Sequence, residues 1–462
     1  MSLSCFKAYD VRGKVPEELD ELLAYHIGRA LAEILEPGAV VVGRDVRLSS
    51  PAIAKSVSEG LVDSGMDVID IGLCGTEQVY FSTAHLNASG GVMITASHNP
   101  KGYNGLKFVR EKSRPISGDT GLKDIEALAA RGRFGEAARR GEIKGADTSE
   151  AYINHVLSYT EPSSLPQFRI LANPGNGCAG PVIDMLERRL SPPFPTLSRE
   201  GRGIEFIKIF SEPDGDFPHG IPNPLLPENR DATAKAVIES GADIGLAWDG
   251  DFDRCFFFDE KGNFIEGYYI VGLLAEAMLA KHPGAKIIHD PRLTWNTVDM
   301  VKSAGGIPVM SKAGHAFMKE RLRAENAVYG GEMSAHHYFR EFSYCDSGMI
   351  PWLLVLEVMA RKGKKLSELV EERERLYPVS GEINREIKDP AAAINKVEES
   401  YSPGAISIDH TDGVSIEYPE WRFNLRMSNT EPLVRLNVET RGDKELLEQK
   451  TGELLEMLDK TS

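Results

Sequence analysis

Thr95-Ala96-Ser97-His98-Asn99-Pro100 sets a hydroxyl, an imidazole and an amide side by side. It follows Gly90-Gly91-Val92-Met93-Ile94, a glycine-bounded apolar run that reads as a short buried strand. The serine and histidine therefore fall on a loop at a strand end, where open α/β sheets place their ligands. Further on comes Asp249-Gly250-Asp251-Phe252-Asp253-Arg254. Three carboxylates at alternate positions suit a hard divalent cation such as Mg²⁺. A hydroxyl to carry a phosphate, a cation to neutralise it and nearby guanidinium or ammonium groups are what phosphoryl transfer requires.

Other readings of these stretches are weaker. Ser97 and Asn99 can simply form a turn before Pro100. A serine hydrolase would want a Gly-x-Ser-x-Gly elbow, and a histidine adjacent in sequence is poorly placed for a triad. An EF-hand loop would have Glu260 at its twelfth position, but its sixth is Arg254 instead of glycine, and both flanks read as strands.

Two more polar stretches stand later in the chain. Gly331-Glu332-Met333-Ser334-Ala335-His336 offers acceptor, donor and mixed groups of the kind that sugar hydroxyls need. Arg426-Met427-Ser428-Asn429-Thr430-Glu431-Pro432 offers a guanidinium fork and short donors for a phosphate.

These four stretches, in this order, resemble the active-site loops of the α-D-phosphohexomutase superfamily. The Glu-Met-Ser loop and the opening Phe6-Lys7-Ala8-Tyr9-Asp10-Val11-Arg12-Gly13 resemble its phosphomannomutase and phosphomannomutase/phosphoglucomutase branch. The resemblance implies that Ser97 is a phosphate carrier that also joins Asp249, Asp251 and Asp253 around Mg²⁺. It implies that His98, Lys107, Arg254 and His315 stand near the reacting groups, without saying which is the general base. Glu332, Ser334 and His336 would read the 3- and 4-hydroxyls of a hexose, which mannose and glucose share. Arg426, Ser428, Asn429 and Thr430 would hold the distal phosphate, and Tyr9, Arg12 and Lys312 would add contacts to the substrate. His337 and Arg435 are expected to be structural.

The activity implied is interconversion of mannose 6-phosphate and mannose 1-phosphate through a hexose 1,6-bisphosphate. Rivals within the family act on glucose or glucosamine phosphates. The rival of another class is a non-catalytic sugar-phosphate binder, whose mark would be loss of the carrier hydroxyl or a metal carboxylate; this chain has both. Two departures from the family pattern bear on local packing. Phe252 and Ala335 stand where glycine is usual, and Ala335 is tolerable if its φ is negative.

The elements that must position these loops are legible as three repeats. Val40–Gly43, Arg169–Ala172 and Lys286–His289 read as strands, each followed by an Asp/Asn-rich turn and a helix. The repeats begin more than a hundred residues apart, too far for a solenoid, whose period is about 20–50 residues. The chain is therefore expected to be α/β, with three similar mixed α/β domains and a smaller α+β C-terminal domain around one cleft. The expected spans are 1–145, 146–245, 246–362 and 363–462, with a charged linker at Arg361–Lys365. In the last domain Asp409–Tyr418 and Glu431–Thr440 read as strands, and Asp443 caps a leucine-rich helix.

Composition narrows the partners. With 53 basic and 69 acidic residues the formal charge is −16, which argues against nucleic acid or an anionic membrane surface. Small sugar phosphates are the expected partners, and no protein partner is inferred. Cys5, Cys74, Cys178, Cys255 and Cys345 are scattered, with neither disulfide nor zinc spacing, so reduced thiols are expected. The opening MSLSCFKAYD has no apolar run, and Tyr268–Ala280 is too short to span a bilayer, so a cytoplasmic protein is expected.

Overall fold

A computed structural model describes residues 3–191, 203–427 and 433–460. The chain divides into two compact units, residues 1–264 with 338–360, and residues 265–337 with 361–462.

The first unit holds two sheets. One runs in the order Val11–Lys14, Tyr103–Arg110, Gly90–Ile94, Ala39–Arg44, Asp67–Leu73, Ile143–Gly145. Its middle strands pair in parallel, and Tyr103–Arg110 turns back antiparallel on Gly90–Ile94. Every residue of Gly90–Ile94 is buried, as its unbroken apolar run requires. Helices Glu21–Ile34 and Ser50–Asp63 supply Ile27, Leu31, Ile53, Val57 and Leu61 to the core beside Val40, Val42, Val92 and Ile94. In the second sheet Phe168–Asn173 lies between Ile204–Lys208 and Ile244–Trp248, both parallel to it. Ile244–Trp248 also pairs antiparallel with Cys255–Phe258. Asp249–Arg254 is thus the connection of a hairpin whose last pair is Trp248 with Cys255.

In the second unit Lys286–His289 is flanked by the parallel strands Ile307–Met310 and Tyr329–Gly331. Helices Gly267–Lys281, Trp295–Ser303 and His315–Glu325 accompany them. The C-terminal sheet is antiparallel, in the order Ile383–Glu386, Leu433–Thr440, Trp421–Met427, Val414–Glu417, Ser407–Asp409. Asp443 caps helix Lys444–Asp459 by accepting from the Leu446 N–H, and Leu447, Leu454 and Leu458 enter the core.

Each of the three strand–turn–helix repeats is present. Two expectations are corrected. Asp409–Tyr418 is not one strand, because Thr411-Asp412-Gly413 breaks it into the hairpin Ser407–Asp409 and Val414–Glu417. The linker at Arg361–Lys365 is shorter than expected: Arg361 and Lys362 end helix Ile350–Lys362 and both bind Glu276. All five cysteines are free and buried. Among the described residues, no helix is long and apolar enough to cross a membrane.

Candidate active site

In the first unit, the turn after Gly90–Ile94 presents Ser97 with φ +47. That left-handed conformation is uncommon for a residue with a side chain, and the surroundings must hold it. Arg47 does so. Its buried guanidinium donates to the main-chain oxygens of Ser97, Asn99, Pro100 and Tyr103, at 2.5–2.9 Å. The Ser97 N–H donates to Thr95 Oγ1 at 2.8 Å. Asp45 fixes Arg47 in turn, accepting from its N–H at 2.9 Å and from Ser50 Oγ at 2.5 Å.

The hairpin connection meets this loop from the other side. Ser97 Oγ donates to Asp249 Oδ2 at 2.8 Å. The approach depends on Gly250, where a Cβ would lie 2.7 Å from the Ser97 carbonyl oxygen. Asp249, Asp251 and Asp253 are buried, and one oxygen from each lies within 4.8 Å of the others. Lys107, on Tyr103–Arg110, donates to Asp251 Oδ2 at 2.7 Å and Asp253 Oδ2 at 2.6 Å. Burial alone would lower the Lys107 pKa, but the two carboxylates outweigh it and keep the ammonium charged. Burial likewise works against the Asp251 carboxylate, yet Lys107 holds its pKa below the usual range. Asp251 Oδ1 is buried with no hydrogen-bond partner among the described residues. A clustered, oxygen-only donor set that leaves a carboxylate oxygen unmatched fits a hard divalent cation.

Arg254 Nε donates to Asp249 Oδ2 at 2.8 Å, and its Nη2 meets His98 Nδ1 at 2.5 Å. A guanidinium has only donors, so Nδ1 is the acceptor. Burial, with Arg254 and Arg12 nearby, pushes the His98 pKa well down, and the ring is neutral. Its Nδ1 is also 3.1 Å from Ser97 Oγ. Arg12, on Val11–Lys14, is held by Asp10 at 2.8 Å and donates to Asn99 Oδ1 at 2.5 Å. Tyr9 is half-buried on the loop before that strand. Phe252 takes φ +43 and buries its ring over Gly75.

The second unit gathers the remaining candidates around Arg292. This buried guanidinium lies 2.8 Å from Asp290, 3.5 Å from Glu332, 3.4 Å from Ser334 Oγ and 3.6 Å from Glu382. Asp290 Oδ2 accepts from the Met333 N–H at 2.9 Å, fixing the loop that bears Glu332 and Ser334. The loop closes on itself through Glu332 N–H to His336 O at 2.9 Å. Ala335 sits there with φ +70, so the condition of a negative φ is not met: the loop keeps a conformation that favours glycine with an alanine in it. The Gly314 N–H donates to Glu332 Oε1 at 2.8 Å, bringing the start of helix His315–Glu325 to this loop. Lys312 is exposed, its ammonium 5.0 Å from the Phe317 ring centre. His337 is buried with its Nδ1 2.8 Å from the Tyr329 hydroxyl, consistent with a structural role.

Arg426 donates to Glu382 at 2.9 Å, and Arg435, opposite it on the neighbouring strand, donates to the same carboxylate at 3.3 Å. Arg435 therefore joins this cationic cluster instead of serving the strand alone. Burial would raise the Glu382 pKa, but Arg292, Arg426 and Arg435 outweigh it and hold it low. Ser428, Asn429 and Thr430 lie outside the described residues. Arg47, Asp45, Asp290, Arg292 and Glu382 were not anticipated as site residues. The first four stand in the Asp-rich turns after repeat strands, and that position is the only signal they give.

Comparison with known proteins agrees with this geometry. Models of the phosphoglucomutase/phosphomannomutase alpha/beta/alpha domains I, II and III match residues 4–136, 150–262 and 266–377. The model of the family's C-terminal domain matches residues 382–456. A "Phosphomannomutase" of Salmonella montevideo is 60% identical over 459 residues, covering 99% of each chain. A protein of Xanthomonas campestris pv. campestris named "Phosphohexose mutases" is 59% identical over 462 residues, covering 99% of this chain and 100% of its own. The crystal structure of a phosphoglucomutase/phosphomannomutase family protein from Burkholderia thailandensis superposes with a TM-score of 0.86 at 30% identity, over 100% of this chain and 98% of that one. With all four domain models matched in order, and full-length relatives at this identity, the chain belongs to the phosphoglucomutase/phosphomannomutase family and is a phosphohexomutase, an isomerase.

Proposed function

We propose that this enzyme is a phosphomannomutase that interconverts mannose 6-phosphate and mannose 1-phosphate, with phosphorylated Ser97 as the donor. The observation that carries the reading is the Ser97 hydroxyl, buried and bonded to Asp249 beside Asp251, Asp253 and Arg254. The sugar identity is supported by the relative at 60% identity named "Phosphomannomutase".

Asp249, Asp251 and Asp253, with an oxygen on Ser97, would hold Mg²⁺, which when bound draws charge from the phosphoryl group. Arg254 offers a guanidinium to the phosphoryl oxygens. The Ser97 P–O bond breaks as a bond forms to the free 1- or 6-hydroxyl of the hexose monophosphate, whose proton ends on the departing Ser97 oxygen, giving the 1,6-bisphosphate. The other phosphoryl group then returns to Ser97 as its bond to the sugar oxygen breaks, and the proton given up by the Ser97 hydroxyl ends on that sugar oxygen. Glu332 and Ser334 recognise sugar hydroxyls, while Arg426, Arg435 and Arg292 hold the phosphate that is not reacting. The bisphosphate is both intermediate and activator, since it can rephosphorylate Ser97.

A second reading, activity on glucose phosphates as well, is favoured by the relative named "Phosphohexose mutases". Glucose and mannose differ at C2, so a loop that reads the 3- and 4-hydroxyls would not separate them. Paired kinetics on mannose 1-phosphate and glucose 1-phosphate decide between the readings; a kcat/KM favouring glucose would overturn the first. Ser97→Ala should lower turnover by orders of magnitude in a folded protein. Near-normal turnover in that variant would sink the covalent route.

A further inference from the structure

Thr76 lies 175 positions from Asp251 in sequence, yet it touches that residue twice. It is the first residue of helix Thr76–His85 and is fully buried. Its N–H donates to the Asp251 main-chain oxygen at 3.0 Å. Its hydroxyl donates to Asp251 Oδ2 at 2.5 Å, and a carboxylate oxygen can only accept. Lys107 donates to that same oxygen at 2.7 Å. The second oxygen, Oδ1, is buried with no hydrogen-bond partner among the described residues. A buried carboxylate oxygen without a donor is unfavourable, and a cation removes the penalty.

The helix start is fixed against the hairpin connection. At Gly75 a Cβ would fall 2.2 Å from Cε1 of Phe252, so the ring occupies the space that any other residue would need. Phe252 itself belongs to the aspartate loop. Glycine at 75 and phenylalanine at 252 thus seat the polar end of the helix on that loop. The Thr76 hydroxyl is thereby aimed at one oxygen of one aspartate.

We infer that Thr76 is a positioning residue for the cation site: it fixes Asp251 Oδ2 from behind so that Oδ1 faces the metal. The inference rests on reading Asp249, Asp251 and Asp253 as cation ligands. Groups that orient metal ligands in this way typically set affinity by about 10- to 100-fold.

The test is Mn²⁺ titration of the purified full-length chain, followed by the paramagnetic resonance of free Mn²⁺. Thr76→Val, close in shape but without the hydroxyl, should bind about 10-fold more weakly or worse. Thr76→Ser should bind nearly as the unmodified protein does. The Mn²⁺ concentration for half-maximal turnover should move with Kd, while KM for the hexose phosphate at saturating metal holds. Thr76→Ala is titrated alongside, so the comparison stands even if the valine variant does not fold. Unchanged affinity in a folded Val or Ala variant would overturn the role of Thr76. No binding to the unmodified chain would instead overturn the cation site itself.

Discussion

Ser97, Phe252 and Ala335 hold φ values of +47, +43 and +70, and each stands on a loop assigned to chemistry or recognition. An L-residue in this region costs roughly 1–2 kcal/mol, so its neighbours must hold it there. For Ser97 the restraint is Arg47, gripping four main-chain oxygens of one turn. For Phe252 it is the buried ring. Ala335 has only a methyl group, which returns little packing energy for its strain. Ala335→Gly should therefore stabilise the protein by about 1 kcal/mol, less the greater freedom of glycine in the unfolded chain. The urea midpoint of unfolding checks this, and a lower midpoint in the glycine variant would refute it. Ser97 differs, because there the conformation aims the hydroxyl at Asp249.

Strand His337–Phe339 carries a titration that can be isolated. Burial, with His336 adjacent, lowers the His337 pKa to about 3, against 6.5 unperturbed. Between those values the unfolded chain binds a proton that the folded chain does not. This contribution is therefore complete above pH 6.5 and is lost as pH falls toward 3, by up to about 1.4 kcal/mol per pH unit. The stability gap between the natural chain and His337→Gln should narrow on acidification through that window; parallel stability–pH curves would show that His337 does not contribute. What was legible of these elements follows the range of the forces that make them. The strands beside Ser97 and Asp249–Arg254 announce themselves as apolar runs next to polar turns, and Asp443 as a helix cap. The break at Thr411–Gly413 is local too, but was masked by strand-forming residues on both sides. Arg47, Thr76 and Glu382 were not legible as site residues. Their roles depend on partners 50, 175 and 44 positions away, and no periodicity encodes those distances.

Over the whole molecule, a formal charge of −16 sets the background against which an anionic substrate must be held. The response is local: Lys107, Arg254 and Arg12 in one unit, Arg292, Arg426 and Arg435 in the other. Each is already matched to a carboxylate. For Lys107 the matching reaches beyond catalysis. Its ammonium lies 2.7 and 2.6 Å from Asp251 and Asp253, giving these buried carboxylates a counter-charge that is part of the chain. Chelation should therefore abolish turnover while lowering the thermal midpoint only modestly, by what the bound cation itself adds, and added Mg²⁺ should restore activity. In Lys107→Met the midpoint should fall in chelator and rise with Mg²⁺ far more than in the natural chain; equal responses in the two would contradict this. Folding is thereby insulated from metal supply. A polypeptide made during metal shortage reaches its native state, keeps it, and becomes competent when the ion arrives.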